Sequence, residues 1–222
     1  MSQLHTKSSI FGLLVTTLVV AFAVHAAFAQ PKPPPKERFF DSDGSEVSNN
    51  EFVDIRMANF SYPDATIVKK YDDGRVEFRL QKIPQEGMAA PNFSVRTLDG
   101  TIISLADLKG KVIVLNFWFI GCPACLDMEP KLNAFKAKFA GNDNVAFLAM
   151  TADPSIELKK YLSKVRFDYQ QAADAKAAMD MFVFVGFPKN IVIGKTGEIV
   201  YWRSTVKAWD KFESVVRREL ER

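Results

Sequence analysis

Residues 116–125, with the sequence NFWFIGCPAC, decide the fold because two different sequence patterns meet there at a pair of cysteines. The residues leading into this segment, 112–117, are a mostly apolar run of β-branched and aromatic residues, which predicts a strand buried on both faces. After the cysteines, apolar residues recur at the spacing of one helix face, at Met128, Leu132, Phe135 and Phe139. Cys122 and Cys125 are therefore expected where a buried strand ends and a helix begins.

Strand and helix patterns alternate on both sides of this junction. Turn sequences at Leu98-Asp99-Gly100 and Lys195-Thr196-Gly197 predict hairpins over residues 93–104 and 190–202. Because strands alternate with helices and a hairpin closes the series, we expect an α/β fold with a mixed central sheet flanked by helices. The remaining predicted elements are a strand over 145–150, a helix begun by Asp153 and Pro154 and ending near Lys164, a strand over 167–170, a helix over 172–182 and an amphipathic helix from about 209.

The first 29 residues have the pattern of a secretory signal peptide. Lys7 is the one charged residue before an apolar stretch over 10–24, and Ala27-Phe28-Ala29 supplies a small-x-small cleavage site. The alternative is an uncleaved membrane anchor, since residues 10–29 are just long enough to span a bilayer. Both interpretations predict an exported protein, which we expect in the periplasm.

Two further segments precede the domain that carries the cysteines. Four prolines between 31 and 35 mark residues 30–37 as a Pro-rich linker that is too stiff and polar to pack. Residues 38–88 are predicted to form a small N-terminal extension with a short helix and a hairpin. Ser48 and Glu51 make a capping box for the helix, and the hairpin turns at Asp72-Asp73-Gly74. The main domain is then expected over residues 89–222.

Composition excludes several kinds of chemistry. The 29 Lys and Arg residues nearly balance the 26 Asp and Glu residues, so no basic footprint for nucleic acid exists. The two histidines, His5 and His25, both lie in the predicted signal peptide, and a cleaved chain would contain no imidazole. Such a chain has no Ser-His or Cys-His nucleophile pair and no His-ligated metal. One Cys-x-x-Cys pair supplies only two zinc ligands, so we expect no metal site.

The position of the cysteine pair favours redox chemistry. A disulfide across two intervening residues closes almost no loop, so it adds little stability by constraining the unfolded chain. An intermolecular metal site and an inert pair are the alternatives. Pro123 is favoured as the first residue of a helix, which makes Cys122 the N-cap. There the first-turn N–H groups and the positive helix end favour a thiolate at Cys122, leaving Cys125 as the buried resolving thiol.

These residues resemble the thioredoxin fold and, more narrowly, the exported TlpA/ResA-like thiol-disulfide oxidoreductases, over residues 90–222. The match includes Pro130 after the cysteines, the opening Ala90-Pro91-Asn92-Phe93 and the later Gly186-Phe187-Pro188. The resemblance implies a cis peptide bond before Pro188, packed against Cys122 and Cys125, with Phe187 and Pro188 as substrate contacts. Trp118, Pro123 and Glu129 are assigned supporting roles.

The resemblance also implies the activity and its partners. The expected function is a reductase of extracytoplasmic protein disulfides, for example in cytochrome c maturation, with no cofactor other than the Cys122–Cys125 disulfide. Electrons would come from a membrane donor of the thiol-disulfide relay type. A thiol peroxidase is an alternative, disfavoured because Phe119 stands where peroxiredoxins keep a Thr. Another alternative is a non-catalytic binding module in which the extension, residues 38–88, makes the functional contacts.

Two positions bear on which group takes the proton of Cys125. Asn116 stands where cytoplasmic thioredoxins keep a buried acid, and Met128 stands where the exported branch often carries a Glu. The nearby acids, Asp127 and Glu129, project about 100° to either side of Met128 on a helix. The sequence therefore leaves open which group accepts the proton of Cys125.

Overall fold

The computed structural model describes residues 36–59, 67–80 and 83–222, and Glu37–Arg222 form one structural unit. The predicted signal peptide lies outside the described residues, as does most of the predicted linker. Among the residues that are described, no helix is both long enough and apolar enough to cross a membrane.

The described elements alternate largely as the sequence predicts. The strands in chain order are β1 (Glu37–Phe40), β2 (Glu46–Val47), β3 (Ile67–Lys70), β4 (Val76–Arg79), β5 (Ser94–Arg96), β6 (Ile102–Ser104), β7 (Val112–Trp118), β8 (Val145–Thr151), β9 (Gln170–Ala172), β10 (Lys189–Ile193) and β11 (Ile199–Arg203). The α-helices are α1 (Asn49–Arg56), α2 (Pro123–Ala137), α3 (Ser155–Leu162), α4 (Lys176–Asp180) and α5 (Trp209–Glu221), and a 3₁₀ turn covers Met57–Asn59.

The central sheet has the strand order β11-β10-β7-β8-β9. Strand β7 is buried along its whole length, since it pairs in parallel with β8 and antiparallel with β10. The sheet is therefore mixed, as predicted from the alternating pattern. Parallel β7 and β8 end at the same edge, and the cysteine pair follows β7 at that edge.

Each face of the sheet has its own core. On one face, Val114 and Trp118 of β7 pack with residues of α2 and α5, and Cys122 and Cys125 belong to this cluster. On the other face, Leu115 and Phe117 pack with α4, with Phe93 and with Ala58 of the 3₁₀ turn. Alternate residues of a strand face opposite sides of a sheet, which explains why one apolar run supplies both cores.

The N-terminal extension is larger than its local patterns predict. The capped helix is confirmed, because the Ser48 hydroxyl accepts a hydrogen bond from the Glu51 N–H at 3.1 Å. The β3–β4 hairpin is also found, but it belongs to a four-stranded sheet with the order β2-β1-β4-β3. Strands β1 and β2 were not predicted, since β1 pairs in parallel with β4, a partner distant in the chain.

Three predicted boundaries in the main domain are wrong. The strand expected over 167–170 is instead Gln170–Ala172, and the helix expected over 172–182 is the short Lys176–Asp180. Helix α3 begins at Ser155 after Pro154, and Asp153 does not cap it. The Asp174 carboxylate accepts from the Ser155 N–H at 3.2 Å instead, which leaves Asp153 available for the loop described below.

Candidate functional site

Cys122 and Cys125 lie at the junction of β7 and α2 and form a disulfide, with their Cα atoms 5.2 Å apart. Helix α2 begins at Pro123, Cys122 is its N-cap, and the Cys122 Sγ accepts a hydrogen bond from the Cys125 N–H at 3.2 Å. Both cysteines are only 3% exposed. The cap geometry predicted from Pro123 is confirmed, and it places the positive end of α2 at the Cys122 sulfur.

A partly buried polar contact holds the loop that leads to the cysteines. The Ile120 N–H donates to the Asp153 carboxylate at 2.8 Å, and the Thr151 hydroxyl donates to the same oxygen at 2.5 Å. Asp153 therefore ties the loop after β7 to the loop after β8. The sequence signal for this role was misassigned, because an Asp followed by Pro is also typical of a helix N-terminus. At Gly121, φ is +85°, which favours glycine, and a Cβ atom would meet nothing within 4 Å.

Neutral amides occupy the sheet beneath α2. The Asn116 side-chain amide donates to the side-chain oxygen of Asn190 at 3.0 Å. The side-chain NH₂ group of Asn190 in turn donates to the Ser204 backbone oxygen at 3.3 Å. The same amide lies 3.9 Å from the Met128 sulfur. All of these side chains are buried, and Asn116, Asn190 and Met128 carry no titratable group.

Glu129 is the buried acid of the site. Its side chain is 4% exposed, whereas Asp127 lies at the surface. Glu129 is one helical turn after Cys125, so both residues lie on the same buried face of α2. Burial raises the pKa of Glu129, although a hydrogen bond from the Tyr161 hydroxyl acts in the opposite direction.

Tyr161 is the hydrogen-bond donor to the Glu129 carboxylate. Its hydroxyl lies 3.0 and 3.2 Å from the two carboxylate oxygens of Glu129, and its ring packs on Trp118 with centroids 5.6 Å apart. Burial and the neighbouring carboxylate raise the pKa of Tyr161 to about 12. Trp118 is fully buried, and its indole N–H has no hydrogen-bond partner among the described residues. Glu129 and Tyr161 line an open cleft with Leu126 and Pro130, which gives the carboxylate access to solvent.

The loop before β10 adds an aromatic side to the site. The peptide bond between Phe187 and Pro188 is cis, as the resemblance implies. Pro188 is buried, while the half-buried Phe187 ring meets the exposed Phe119 ring edge-on at 5.2 Å. The structure thus joins the Phe187-Pro188 loop to the loop that precedes Cys122. Their role as substrate contacts stays a prediction.

No metal-binding cluster is apparent where the chain is described: residues 36–59, 67–80 and 83–222 hold no group of three or more His, Cys, Asp or Glu side chains placed to bind one ion. The chemistry available at the junction is that of two sulfur atoms, the buried Glu129 carboxylate and the half-buried Tyr161 phenol.

Comparison with known proteins identifies the family. The profile of the AhpC/TSA family matches residues 87–202, which is more than half of the chain. The chain belongs to the AhpC/TSA family. The matched range covers both cysteines and the Phe187-Pro188 loop, together with all five strands of the central sheet up to Trp202.

Similarity to individual proteins gives this AhpC/TSA-family member its enzyme class. It is 34% identical over 118 residues to thiol-disulfide oxidoreductase ResA of Bacillus anthracis, over 52% of this chain and 68% of that protein. It is 29% identical over 119 residues to the thioredoxin-like protein YneN of Bacillus subtilis (strain 168), over 52% and 69%. The solution structure of a thiol:disulfide interchange protein from Bacteroides sp. aligns with a TM-score of 0.52 and 27% identity, over 60% of this chain and 90% of that one. The fold is therefore thioredoxin-like, and the protein is a thiol-disulfide oxidoreductase.

Proposed function

We propose that this oxidoreductase works outside the cytoplasm as a reductase of protein disulfides, with Cys122 as the attacking thiolate and Cys125 as the resolving thiol. The observation that carries the assignment is the hydrogen bond from the Cys125 N–H to the Cys122 sulfur at the N-terminus of α2. An N–H donor and a positive helix end stabilise a thiolate, and such positions lower a cysteine pKa to between about 3.5 and 7.5.

The reaction is two successive thiol-disulfide exchanges. The Cys122 thiolate attacks one sulfur of the substrate disulfide, a mixed disulfide forms, and the first substrate sulfur leaves as a thiolate that takes up a proton. Cys125 then loses its proton and attacks the Cys122 sulfur, which releases the second substrate thiolate. Two electrons pass to the substrate, and the enzyme ends with the Cys122–Cys125 disulfide seen here. A membrane dithiol donor would restore the reduced pair.

Glu129 is the proposed acceptor of the Cys125 proton. It is the buried carboxylate on the Cys125 side of α2, and its raised pKa brings it closer to that of a thiol. The open cleft beside Tyr161 then allows Glu129 to pass the proton to water. The Asn116 and Asn190 side chains beneath α2 are neutral amides, which are too weakly basic to take the Cys125 proton. Glu129 is therefore the proposed proton acceptor.

The residues between the cysteines support the proposed direction of electron transfer. Strong oxidants owe their high potential to a stabilised reduced form, and the uncharged Pro123-Ala124 pair adds no charge for that purpose. Exported thiol proteins are the proposed substrates, with cytochrome c maturation as the proposed setting. A reduction potential of the Cys122–Cys125 couple near about −120 mV, the value of a strong oxidant, would contradict the reductase assignment.

Single cysteine variants test the two roles. Cys125→Ser keeps the attacking thiolate but cannot release itself, so it should accumulate covalent, reductant-sensitive adducts with partner proteins. Cys122→Ser should accumulate almost none, because the remaining Cys125 thiol lies inside the first turn of α2 and does not have the N-cap position that stabilises a thiolate. Mass spectrometry of the adducts would identify the substrates. Equal trapping by both variants, or faster alkylation of Cys125 in the reduced protein, would show that the roles are wrongly assigned.

Two activity assays on the purified protein distinguish the proposed reductase from a thiol peroxidase and from a binding module. Reduction of insulin disulfides should depend on both cysteines, and the Cys122→Ser/Cys125→Ser variant is the control. Consumption of peroxide well above that control would favour a thiol peroxidase. Failure to reduce any disulfide would favour a binding module.

A further inference from the structure

A cavity of about 550 Å³ lies where α1, α2 and the start of α5 meet. Its volume is within the range of small-molecule sites, which runs from about 300 to 1,000 Å³. The lining has a buried apolar floor and an exposed basic rim. The floor is formed by Phe135, Val206 and Trp209, and the rim by Lys131, Lys138 and Lys207. None of these residues has a role in the proposed exchange reaction.

The floor of the cavity is held in place by the protein core. The ring of Phe135 stacks on that of Phe212, with centroids 4.4 Å apart and planes at 19°. The Trp209 ring lies 6.1 Å from the Phe135 ring and is tilted by 53°. Phe135 and Val206 are almost fully buried, whereas Trp209 is half-buried. Because the core supports these rings, the floor needs no occupant to form, and it offers aromatic surface on which another flat ring can pack.

The rim carries positive charge that the described residues do not fully neutralise. Lys138 forms an ion pair with Glu213. The ammonium groups of Lys131 and Lys207 have no ion-pair or hydrogen-bond partner in the part of the chain that the structure describes. Of the described residues, none of those that line the cavity is acidic. Lys131 and Lys138 are seven positions apart on α2, so they lie on the same helix face, about 10 Å from each other along the axis.

We propose that this cavity binds a small organic anion with a flat aromatic body and one acidic group. The aromatic body packs on Trp209 and Phe135, where it buries apolar area. The acidic group lies at the rim, where the Lys131 and Lys207 ammonium groups donate charge-assisted hydrogen bonds to it. This inference goes beyond the proposed function and does not depend on it.

The form of the cavity favours a small molecule over a membrane or a polypeptide. A membrane surface could approach the exposed lysines, but it could not contact Phe135 and Val206, which are only 2% and 5% exposed. An acidic polypeptide without an aromatic side chain could likewise pair with the rim alone. The lysines come from both walls, Lys131 and Lys138 from α2 and Lys207 from the segment before α5, so one compact anion can contact them together.

The test compares two probes with the same ring system, naphthalene-1-sulfonate and the uncharged 1-naphthalenemethanol. Titration calorimetry of the oxidised protein should show one sulfonate bound per chain, roughly tenfold more tightly than the alcohol, a factor that corresponds to about 1.4 kcal/mol. Of the three tryptophan indole N–H signals in a nitrogen-15 NMR spectrum, that of Trp209 should shift most. Trp118 and Trp202 are fully buried elsewhere in the core. The Trp209 signal is assigned from its loss in Trp209→Phe.

Two independent variants test the rim. Lys131→Gln/Lys207→Gln should weaken sulfonate binding about tenfold and leave binding of the alcohol unchanged. Ala134→Glu places a carboxylate at an exposed position of the cavity wall and should abolish sulfonate binding. The control is Lys70→Gln/Lys160→Gln, which neutralises two exposed lysines outside the cavity and should bind as the wild type does. Circular dichroism and the thermal midpoint check that each variant is folded.

Several results would overturn the inference. They are equal affinity for the two probes, a shift confined to indole signals other than that of Trp209, or equal losses in the rim variant and its control. Binding to phosphatidylglycerol vesicles or to a glutamate-rich peptide that Lys131→Gln/Lys207→Gln abolishes, with no binding of the sulfonate, would assign the lysines to a macromolecule instead. Because binding is measured without turnover, failure of the insulin-reduction assay would refute the proposed function and leave this inference standing.

Discussion

At the scale of single residues, Glu129 makes the proposed second exchange step sensitive to pH. Because burial raises its pKa, the proton-accepting carboxylate forms at a higher pH than it would in a solvated glutamate, and release of the mixed disulfide should speed up as pH rises through that pKa. Glu129→Gln keeps an oxygen to accept from Tyr161 but cannot take a proton. We expect roughly 100-fold slower release of the mixed disulfide and loss of this pH dependence.

Single-turnover kinetics of mixed-disulfide release from pH 4 to 8 would measure this effect. Asp127→Asn is the matched control, since Asp127 is the exposed acid two residues away on the same helix. Attack by Cys122 should change little in either variant. An unchanged release rate in Glu129→Gln would assign proton transfer to solvent alone.

The helix cap at Cys122 was predictable at this scale, but the buried acid was not. Pro123 specifies the helix start locally, so the cap at Cys122 follows from adjacent residues. Asp127 and Glu129 are equally far from Met128, but Glu129 lies four residues after Cys125 on the buried face of α2. Its hydrogen bond from Tyr161, 32 positions further along the chain and on α3, could not be read from the sequence. Asp153 was misassigned for the same reason, because its partner Ile120 lies on another loop.

At the scale of elements, helix α5 obtains its N-terminal cap from the extension. Its own N-cap residue, Ala208, has no side chain that can accept a hydrogen bond. The buried Asp54 carboxylate of α1 accepts instead from the Ala208 N–H at 2.9 Å, the Lys207 N–H at 2.7 Å and the Thr205 hydroxyl at 2.8 Å. The extension thereby supplies the anionic group that a helix N-terminus favours.

Asp54→Ala should destabilise the protein by about 2–4 kcal/mol, because it removes a helix cap and leaves three donors without this acceptor. Urea unfolding of the oxidised protein would measure the loss. Asp54→Asn keeps one acceptor oxygen and should cost less. Asp210→Ala, at the exposed first turn of α5, is the control for removing an acid near the same helix end. A cost for Asp54→Ala no greater than that of the control would show that the cap contributes little.

Elements with a strong local pattern were predicted and those with remote partners were not. The apolar run of β7, the hairpin of β10 and β11 and the amphipathic α5 all carry their pattern in adjacent residues. Strand β1 has no such pattern, and its pairing with β4 depends on a segment almost 40 residues later. The interaction of the extension with α5 could not be predicted from the sequence either, because Asp54 acquires its role only when folding brings Thr205 beside it.

At the scale of the whole molecule, Lys189 joins the extension to the central sheet. Its ammonium group is fully buried and donates to the Ala58 backbone oxygen at 2.6 Å and to the Ser204 hydroxyl at 2.8 Å. It also lies 5.3 Å from the centre of the Trp202 ring. Burial, together with the nearby Arg203 charge, lowers the pKa of Lys189 to about 8.

This lowered pKa predicts how the stability of the whole protein changes with pH. An unfolded lysine keeps its proton up to about pH 10.4, so between about 8 and 10 the unfolded chain binds more protons than the folded one. The free energy of unfolding should therefore rise with pH across this window, by up to about 3 kcal/mol if the Lys189 contribution were realised in full. The raised pKa values of Tyr161, Tyr169 and Tyr201 act in the opposite direction, but only above about pH 10, where unfolded tyrosines begin to ionise.

Urea unfolding of the oxidised protein at several pH values from 7 to 9.5 isolates the lysine contribution from that of the tyrosines. Lys189→Met should be at least as stable as the wild type near pH 7, because an apolar side chain replaces a buried cation. As the pH rises, the free energy of unfolding of the wild type should then increase relative to that of Lys189→Met, because only the wild type can lose the buried charge. Lys211→Met, which removes the lysine that joins Glu51 of the extension to α5 at the surface, is the control for loss of a lysine at this junction. A constant difference in unfolding free energy between wild type and Lys189→Met over this range would mean that Lys189 does not titrate in the folded protein, and that its contacts with Ala58 and Ser204 hold a permanent charge.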